Sequence, residues 1–261
     1  MRIDAIKRLA NRPELQTYVR SLRETIPFST SMDAWLLSFP RSGNTYLRRL
    51  LMAAQANVAT PAIYRSEGHL EWDQWNHPYT IVHKTHEDHI IGEDDKIIFL
   101  VRDPRDTFIS YMHMAHAKGQ LPIEEASDLE SHIEKFLSDW CELLEGVLRR
   151  KQALTFTARY EQLIAEPEQV LNRVLDFLDV RASTTIAVAV ENASLEGWKR
   201  MAAPEWGFGG NYGEGTLWDI VNRNRGRSGV WRSVLTKEAV RIFEKCSCAH
   251  LAETFGYLQV S

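Results

Sequence analysis

The distribution of apolar residues along the chain predicts buried strands that alternate with amphipathic helices. Residues 34–39 (AWLLSF) and 97–101 (IIFLV) are unbroken apolar runs, as expected for parallel strands covered on both faces. Two further strands are predicted at residues 79–83 (YTIVH) and 153–158 (ALTFTA). Residues 130–150 instead carry apolar positions at helical spacing. This alternation predicts an α/β fold, a three-layer sandwich around a central parallel sheet.

Capping residues locate three helix starts. Residues 167–178 begin with proline, which suits the first turn of a helix. Asp103 and Pro104 have the residue types of an N-cap and a first helical position. The stretch from Thr236 to the end of the chain predicts one C-terminal helix with Thr236 as its N-cap.

Composition narrows the class of protein. The chain has 261 residues, of which 44% are hydrophobic and 25% charged, and it contains no internal repeat or long linker. These values predict a single globular domain over residues 1–261. A net charge of −4 argues against nucleic acid as a partner.

The expected location is the cytoplasm. The N-terminus lacks an apolar signal core, and no window of the sequence is apolar enough for a membrane span. The three cysteines, an odd number, predict reduced thiols.

Ligands of open parallel sheets bind beyond the carboxyl ends of the strands, so the residues that follow each strand are the candidates for a binding site. Residues 40–45 (PRSGNT) follow the first strand and precede a helix, whose free amides and dipole favour an anion. Gly43 permits close backbone approach, Thr45 offers a hydroxyl and Arg41 a forked cation. A purely structural strand–turn–helix junction explains the same residues.

This turn departs from the phosphate loop of nucleotide kinases. Against the pattern G-x-x-x-x-G-K-[ST], Ser38 replaces the first glycine and Asn44 replaces the lysine. The departure weakens the interpretation as a site for a metal–ATP complex.

Lys84 and His86 follow the second predicted strand. If that strand extends to His86, these two side chains point to one face and His83 points to the other. A cation and a general base then face one crevice, although solvated residues at a strand end fit the spacing equally well. His83, His86 and His89 do not converge on one ion at this spacing, so we expect no bound metal.

Arginines follow the third strand and recur near the C-terminus. Arg102 directly follows residues 97–101, where an anion is its expected partner, and Ser110 lies two turns into the next helix. Residues 222–232 (NRNRGRSGVWR) lack apolar periodicity and predict a loop, either an anion clamp or a solvated surface. The arginines of this loop are Arg223, Arg225, Arg227 and Arg232.

Together, these segments resemble the motifs of the PAPS-dependent sulfotransferases, over about Trp35 to Tyr257. SFPRSGNTYL is similar to the family's loop for the 5′-phosphosulfate, Y-P-K-S-G-T-T-W, and HKTH is similar to the segment with the catalytic histidine, here His86. FLVRDPRDTFIS is similar to the 3′-phosphate motif, which it places at Arg102 and Ser110.

Two further motifs extend the resemblance. RYEQL is similar to the Y-E-D-L element, whose tyrosine lies near adenine and is here Tyr160. NRGRSGVWR is similar to the R-K-G-x-x-G-D-W-K loop, which places Arg225 and Gly226 at the nucleotide.

The resemblance implies a P-loop nucleotide-kinase-like fold that uses PAPS as sulfuryl donor, releases PAP (adenosine 3′,5′-bisphosphate) and needs no metal. It implies direct in-line transfer to a hydroxyl or amine of a small-molecule, lipid or carbohydrate acceptor. His86 would be the general base, with Lys84 and Arg41 as catalytic cations. The implied donor-binding residues are Arg41, Ser42, Gly43, Asn44, Thr45, Tyr46, Arg102, Ser110, Tyr160, Arg225 and Gly226.

Some positions depart from the family pattern. Arg41 stands where lysine is usual, and Asn44 and Tyr46 replace a threonine and a tryptophan. Asn224 replaces the first arginine of the R-K-G triplet, for which Arg223 or Arg227 compensates. The family's C-terminal dimer motif ends here in a basic residue rather than an acidic one, so the oligomeric state stays open.

Two other functions compete with sulfuryl transfer. The first is a P-loop small-molecule kinase using ATP and magnesium. The replacement of the kinase lysine by Asn44 is evidence against it. The second is a nucleotide-binding protein without catalysis. The presence of both Lys84 and His86 is evidence against it.

The sequence does not identify the acceptor. The glycine-rich stretch 207–215 predicts a mobile lid over the site. The aromatic and histidine residues expected to flank the acceptor are Trp72, Trp75, His113 and His116.

Overall fold

A sheet of seven strands forms the centre of the protein in a computed structural model. The structure describes residues 34–54, 80–194, 213–224, 226–246 and 249–258, together with the short strand pairs 58–59, 62–63 and 70–71. The strands are β1 (Ala34–Ser38), β2 (Val58–Ala59), β3 (Ala62–Ile63), β4 (Leu70–Glu71), β5 (Thr80–Thr85), β6 (Lys96–Val101) and β7 (Thr155–Arg159).

The long strands are all parallel. The order is β4-β3-β5-β1-β6-β7, with β2 also pairing with β5, and β4 alone runs antiparallel to its neighbour β3. Leu37 of β1 lies opposite Thr85 of β5 and Phe99 of β6. The carboxyl ends of β1, β5 and β6 therefore meet at one edge of the sheet, which is where the candidate residues follow.

Helices cover both faces of the sheet. They are α1 (Asn44–Ala53), α2 (Pro104–Ala117), α3 (Glu130–Leu148), α4 (Tyr160–Ala165), α5 (Pro167–Leu178), α6 (Ile186–Ala193), α7 (Leu217–Arg223), α8 (Lys237–Lys245) and α9 (Ala249–Thr254). Short 3₁₀ helices occur at Asp88–Ile90, Ala126–Leu129, Gln152–Leu154 and Val230–Ser233.

The alternation of side chains along β1 separates two hydrophobic cores. Trp35 and Leu37 pack into a core with residues of α2 and α3, such as Phe108 and Phe136. Leu36 faces the opposite core, formed with α1 and α5. Both faces of the sheet are thus covered, and the predicted three-layer α/β sandwich is confirmed.

Most predicted elements are present with small shifts of their ends. The helix over residues 167–178 has the predicted bounds, and Asp103 caps α2 by accepting a hydrogen bond from the Arg105 amide at 2.9 Å, with Pro104 in the first turn. β5 extends two residues beyond the predicted 79–83, because Lys84 and Thr85 still pair with β1.

Two element predictions are wrong near the C-terminus. Thr236 is an N-cap, but its helix ends at Lys245, where Cys246 takes an extended backbone, and α9 follows as a separate helix. The predicted loop 222–232 begins inside α7 and ends inside the 3₁₀ helix Val230–Ser233. Packing of Trp218 and Val221 into the hydrophobic core stabilises α7. The apolar periodicity of its own sequence did not predict this helix.

The prediction of reduced thiols is wrong for Cys141, which is disulfide-bonded, whereas Cys246 keeps a reduced thiol that donates to the Phe243 carbonyl. An odd number of cysteines means that at least one is outside any disulfide bond, but it does not prevent two others from forming one. Among the helices that the structure describes, none has the length and apolar character needed to cross a membrane.

Candidate active site

The turn between β1 and α1 has a backbone that few residues adopt. Arg41 has a φ of 73° and Gly43 a φ of 99°, both in the left-handed region. Gly43 is also the N-cap of α1, and no side chain caps the helix. The helix N-terminus is therefore left to face a ligand through its backbone amides and dipole.

Gly43 is required by a neighbouring side chain. A Cβ at this position would lie 2.3 Å from Cδ2 of Tyr160, closer than any real contact. Tyr160, the first residue of α4, is buried and packs directly on the turn. The sequence predicted close backbone approach at Gly43, and the structure shows an aromatic ring at that place.

The two positions at which the turn departs from the kinase pattern contact each other. Asn44 donates a hydrogen bond from Nδ2 to Oγ of Ser38 at 3.1 Å, so its amide points into the protein. Ser42 is buried, and its Oγ has no hydrogen-bond partner within the described residues. Thr45 is exposed at the start of α1.

Arg41 and Arg102 connect the turn to the rest of the site. Arg41 donates from Nε to Oγ of Ser110 at 3.1 Å, which joins two predicted donor-binding residues 69 positions apart. Arg102, only 6% exposed, donates from Nη1 to the Arg41 carbonyl at 3.1 Å and from Nη2 to the Arg227 carbonyl at 3.0 Å. Its guanidinium lies 4.3 Å from the ring centre of Tyr160, a cation–π distance.

Tyr160 and Tyr46 form the aromatic part of the site. The Tyr160 hydroxyl donates to the carbonyl of Gly226 at 2.8 Å. Burial raises the pKa of Tyr160, and it also raises the pKa of Tyr46, with Tyr160 as a second, electrostatic cause. Both phenols therefore stay neutral, and that of Tyr160 acts as a hydrogen-bond donor.

Lys84 and His86 lie at the end of β5, next to β1. Lys84 is buried on the strand, and His86 follows it with Nδ1 2.6 Å from the carbonyl oxygen of Ser38. Withdrawal from solvent lowers the pKa of His86 to about 3, and the positive charge of Lys84 acts in the same direction. His83 points to the other face, with its ring 4.9 Å from that of Trp35, as the alternation along the strand predicts.

Residues 31–255 match the family model described as the sulfotransferase domain. The chain belongs to the sulfotransferase family. The flavonol 3-sulfotransferase of Flaveria bidentis is 21% identical over 250 residues, covering 82% of this chain and 80% of that protein. Cytosolic sulfotransferase 17 of Arabidopsis thaliana is 24% identical over 252 residues, covering 80% and 71% of the two chains.

A solved structure shares this sulfotransferase fold. The crystal structure of retinol dehydratase in a complex with retinol and PAP superposes with a TM-score of 0.59 at 16% identity, covering 94% of this chain and 87% of that one. The predicted P-loop-like α/β fold is thereby confirmed.

One residue beside the candidate site, Asp106, was not predicted from the sequence. Asp106 fits the role of a first-turn acid of α2, yet its carboxylate accepts hydrogen bonds from the amides of Gly229, at 2.6 Å, and Trp231, at 3.0 Å. Burial raises its pKa, an effect that Arg102 and the two amides oppose. No local signal connects Asp106 to residues more than a hundred positions later.

The arginines of the C-terminal loop differ in their surroundings. Arg223 is ion-paired with Asp219, four residues earlier on α7, and lies near Glu214. Arg227 is exposed and contacts Arg102 through its backbone carbonyl. Arg225 lies outside the described residues, whereas Gly226 contacts Tyr160.

The residues expected to flank an acceptor are partly described. The rings of His113 and His116 pack against Trp218, with centroids 5.4 and 5.0 Å away, and the Trp218 indole donates to the Ile123 carbonyl. These contacts place both histidines in a packed aromatic cluster. Trp72, Trp75 and residues 207–212 of the predicted lid lie outside the described residues.

Proposed function

We propose that this sulfotransferase moves the sulfuryl group of PAPS to a hydroxyl or amine of a small-molecule, lipid or carbohydrate acceptor by direct in-line displacement. The observation that carries this proposal is the hydrogen bond between His86 and the carbonyl of Ser38, the last residue of the strand that leads into the anion-binding turn. A general base is thereby held beside the turn where the donor's charged end is expected.

The residues of the turn fit an anionic donor. Ser42 Oγ and Arg102 Nε are buried polar atoms without a partner in the described part of the chain, and each carries a hydrogen that can be donated to an anion. The N-terminus of α1 adds backbone amides and a favourable dipole. We assign the 5′-phosphosulfate to the turn formed by Arg41, Ser42, Gly43, Asn44 and Thr45.

The 3′-phosphate is assigned to Arg102 and Ser110, with Arg225 and Gly226 completing its site. Arg102 and Ser110 each contact Arg41, so the 5′ and 3′ ends of the nucleotide are recognised by one connected set of side chains. Tyr46 and Tyr160 are assigned to the adenosine side of the site.

The chain's own residues account for the proton and the charge during transfer. PAPS supplies the sulfuryl group, whose bond to the 5′-phosphate oxygen breaks as the bond to the acceptor forms. His86 accepts the acceptor's proton at Nε2, because Nδ1 is held by Ser38. Lys84 and Arg41 stabilise the negative charge on the sulfuryl and phosphate oxygens. Arg41 keeps its proton throughout, so it acts by charge alone.

Calorimetric titration with adenosine 3′,5′-bisphosphate, beside ATP with magnesium, tests the donor class. We expect tight binding of the bisphosphate and weak binding of ATP. The reverse preference would overturn the roles of Arg102 and Ser110. It would favour the alternative function, a kinase that uses ATP and magnesium. An acceptor screen with PAPS, monitored by release of the bisphosphate, then identifies phenols, alcohols or amines as substrates.

We also propose that the protein works in the cytoplasm, as the name of the Arabidopsis relative states for that protein. Cell fractionation with antibodies against the full chain tests this; recovery in a secreted fraction would contradict it.

A further inference from the structure

Residues 226–231, which we call the strap, lie against the candidate donor site. The carbonyl of Gly226 accepts a hydrogen bond from the Tyr160 hydroxyl at 2.8 Å, and the carbonyl of Arg227 accepts one from Arg102 at 3.0 Å. Both donors belong to the proposed nucleotide site. The position of the strap and the shape of that site therefore depend on each other.

The far end of the strap is held by a single carboxylate. Asp106 accepts hydrogen bonds from the amides of Gly229, through Oδ2, and Trp231, through Oδ1. Gly229 starts the 3₁₀ helix Val230–Ser233, and it brings no side-chain cap of its own. Asp106, on α2 and only 2% exposed, supplies the cap that this helix lacks.

We propose that Asp106 is a positioning residue that holds the strap closed over the bound donor nucleotide through these two amide hydrogen bonds. This role rests on the proposed function, since it requires a nucleotide at Arg102 and Tyr160. Asp106 itself acts through the strap. Arg102 and Asp106 are four residues apart at the junction of β6 and α2, so one junction contacts both the nucleotide site and the strap.

The expected consequence is a change in nucleotide affinity. A strap that is open part of the time lowers the apparent affinity by the fraction of molecules in the closed, binding-competent state. Two hydrogen bonds from backbone amides to a buried carboxylate are strong enough for their loss to weaken binding about tenfold.

The test uses Asp106→Asn in the full chain, without and with adenosine 3′,5′-bisphosphate. We expect the amides of the strap to exchange hydrogen faster in the nucleotide-free variant, with β1 and β6 unchanged, and the bisphosphate to bind about tenfold more weakly in calorimetry. A variant that only destabilised the fold would speed exchange in β1 and β6 as well.

Asp128→Asn is the matched control. Asp128 also accepts hydrogen bonds from two backbone amides, those of Glu124 and Glu125, both at 3.0 Å. Asp128 lies on the 3₁₀ helix Ala126–Leu129. Weakening its two hydrogen bonds should leave strap exchange and bisphosphate affinity at their wild-type values.

A second variant perturbs the strap from its own side, should the buried Asp106 variant fail to fold. Gly229 has a φ of 80°, and an added Cβ would lie 2.5 Å from Nη1 of Arg232, so Gly229→Ala perturbs the strap at its own backbone without changing α2. We expect the same faster strap exchange and weaker bisphosphate binding. Gly119→Ala, at a φ of 66° with no atom of the described residues within 4 Å of its Cβ, introduces backbone strain alone at the other end of α2 and should change neither.

The outcomes separate this proposal from the proposed function. Unchanged strap exchange in both variants, or faster exchange with unchanged bisphosphate affinity, would overturn the role of Asp106 while leaving the donor site intact. Wild-type protein that fails to bind the bisphosphate would overturn the donor assignment, and the role of Asp106 with it.

Discussion

The imidazole Nδ1 of His86 lies 2.6 Å from the carbonyl oxygen of Ser38. A carbonyl only accepts hydrogen bonds, so Nδ1 carries the proton and Nε2 keeps its lone pair. Because the pKa of His86 is lowered to about 3, this tautomer of the neutral ring persists across the whole neutral range. The neutral ring therefore keeps the Nε2 lone pair available, and the hydrogen bond to Ser38 orients the ring beside the proposed donor turn.

Replacing His86 with alanine should remove turnover but not nucleotide binding. Loss of a general base lowers kcat by about 10²–10⁴-fold, whereas the proposed contacts to the nucleotide involve other residues. Steady-state kinetics with PAPS and calorimetry with the bisphosphate measure the two effects. His83→Ala is the control, since His83 packs on Trp35 at the opposite face and should keep its turnover. Retained turnover in His86→Ala would remove His86 from its role.

The lowered pKa of His86 also predicts how stability depends on pH. Between about 3, the folded value, and ~6.5, the ordinary value, the unfolded chain binds a proton that the folded protein does not. The contribution of His86 to the free energy of unfolding therefore falls as pH drops below about 6.5, and is regained as pH rises through that window.

Urea unfolding at pH 5 and pH 7 measures this dependence. We expect His86→Gln to lose less stability on acidification than the wild type. His250→Gln changes an exposed histidine and should keep the wild-type dependence. If the free energy of unfolding depended on pH equally in His86→Gln and the wild type, the lowered pKa of His86 would be contradicted.

Arg102→Lys should weaken bisphosphate binding although the charge is kept. An ammonium group lacks the planar fork with which Arg102 reaches the Arg41 and Arg227 carbonyls together while stacking on Tyr160. We expect a dissociation constant about tenfold higher, measured by calorimetry. Arg241→Lys is the control, because Arg241 on α8 is exposed and ion-paired with Glu238, and an unchanged affinity is expected there.

Gly43→Ala should disrupt the donor turn. A methyl group would meet the Tyr160 ring at 2.3 Å on a backbone with φ of 99°, so both strain and overlap oppose it. We expect a loss of at least about 2 kcal/mol in the free energy of unfolding, together with loss of bisphosphate binding. Thermal or urea unfolding and calorimetry measure the two.

Gly215→Ala tests whether the effect is specific to the contact with Tyr160. Gly215 has a φ of 78° but no atom of the described residues within 4 Å of its Cβ, so only the backbone strain of about 1–2 kcal/mol should appear. If Gly43→Ala and Gly215→Ala lowered the free energy of unfolding equally, the contact with Tyr160 would not explain why glycine is required at position 43.

The sequence determined the parts of this protein that depend on neighbouring residues. Apolar runs located β1 and β6, capping residues located the start of α2, and a glycine after a strand located the turn that we propose binds an anion. These signals are local, because strand burial, helix caps and turns are decided within a few residues of the chain. The alternation of side chains on β5 likewise separated Lys84 from His83.

Tertiary structure alone decided what holds the site together. Asp106 had a complete local explanation as a first-turn acid of α2, yet its carboxylate caps a 3₁₀ helix that begins 123 residues later. Gly43 suggested close approach of a ligand, but the nearest group is the ring of Tyr160. Such pairs form because parallel strands bring the carboxyl ends of β1, β5 and β6 to one edge, and sheet order is a property of the whole chain rather than of any segment.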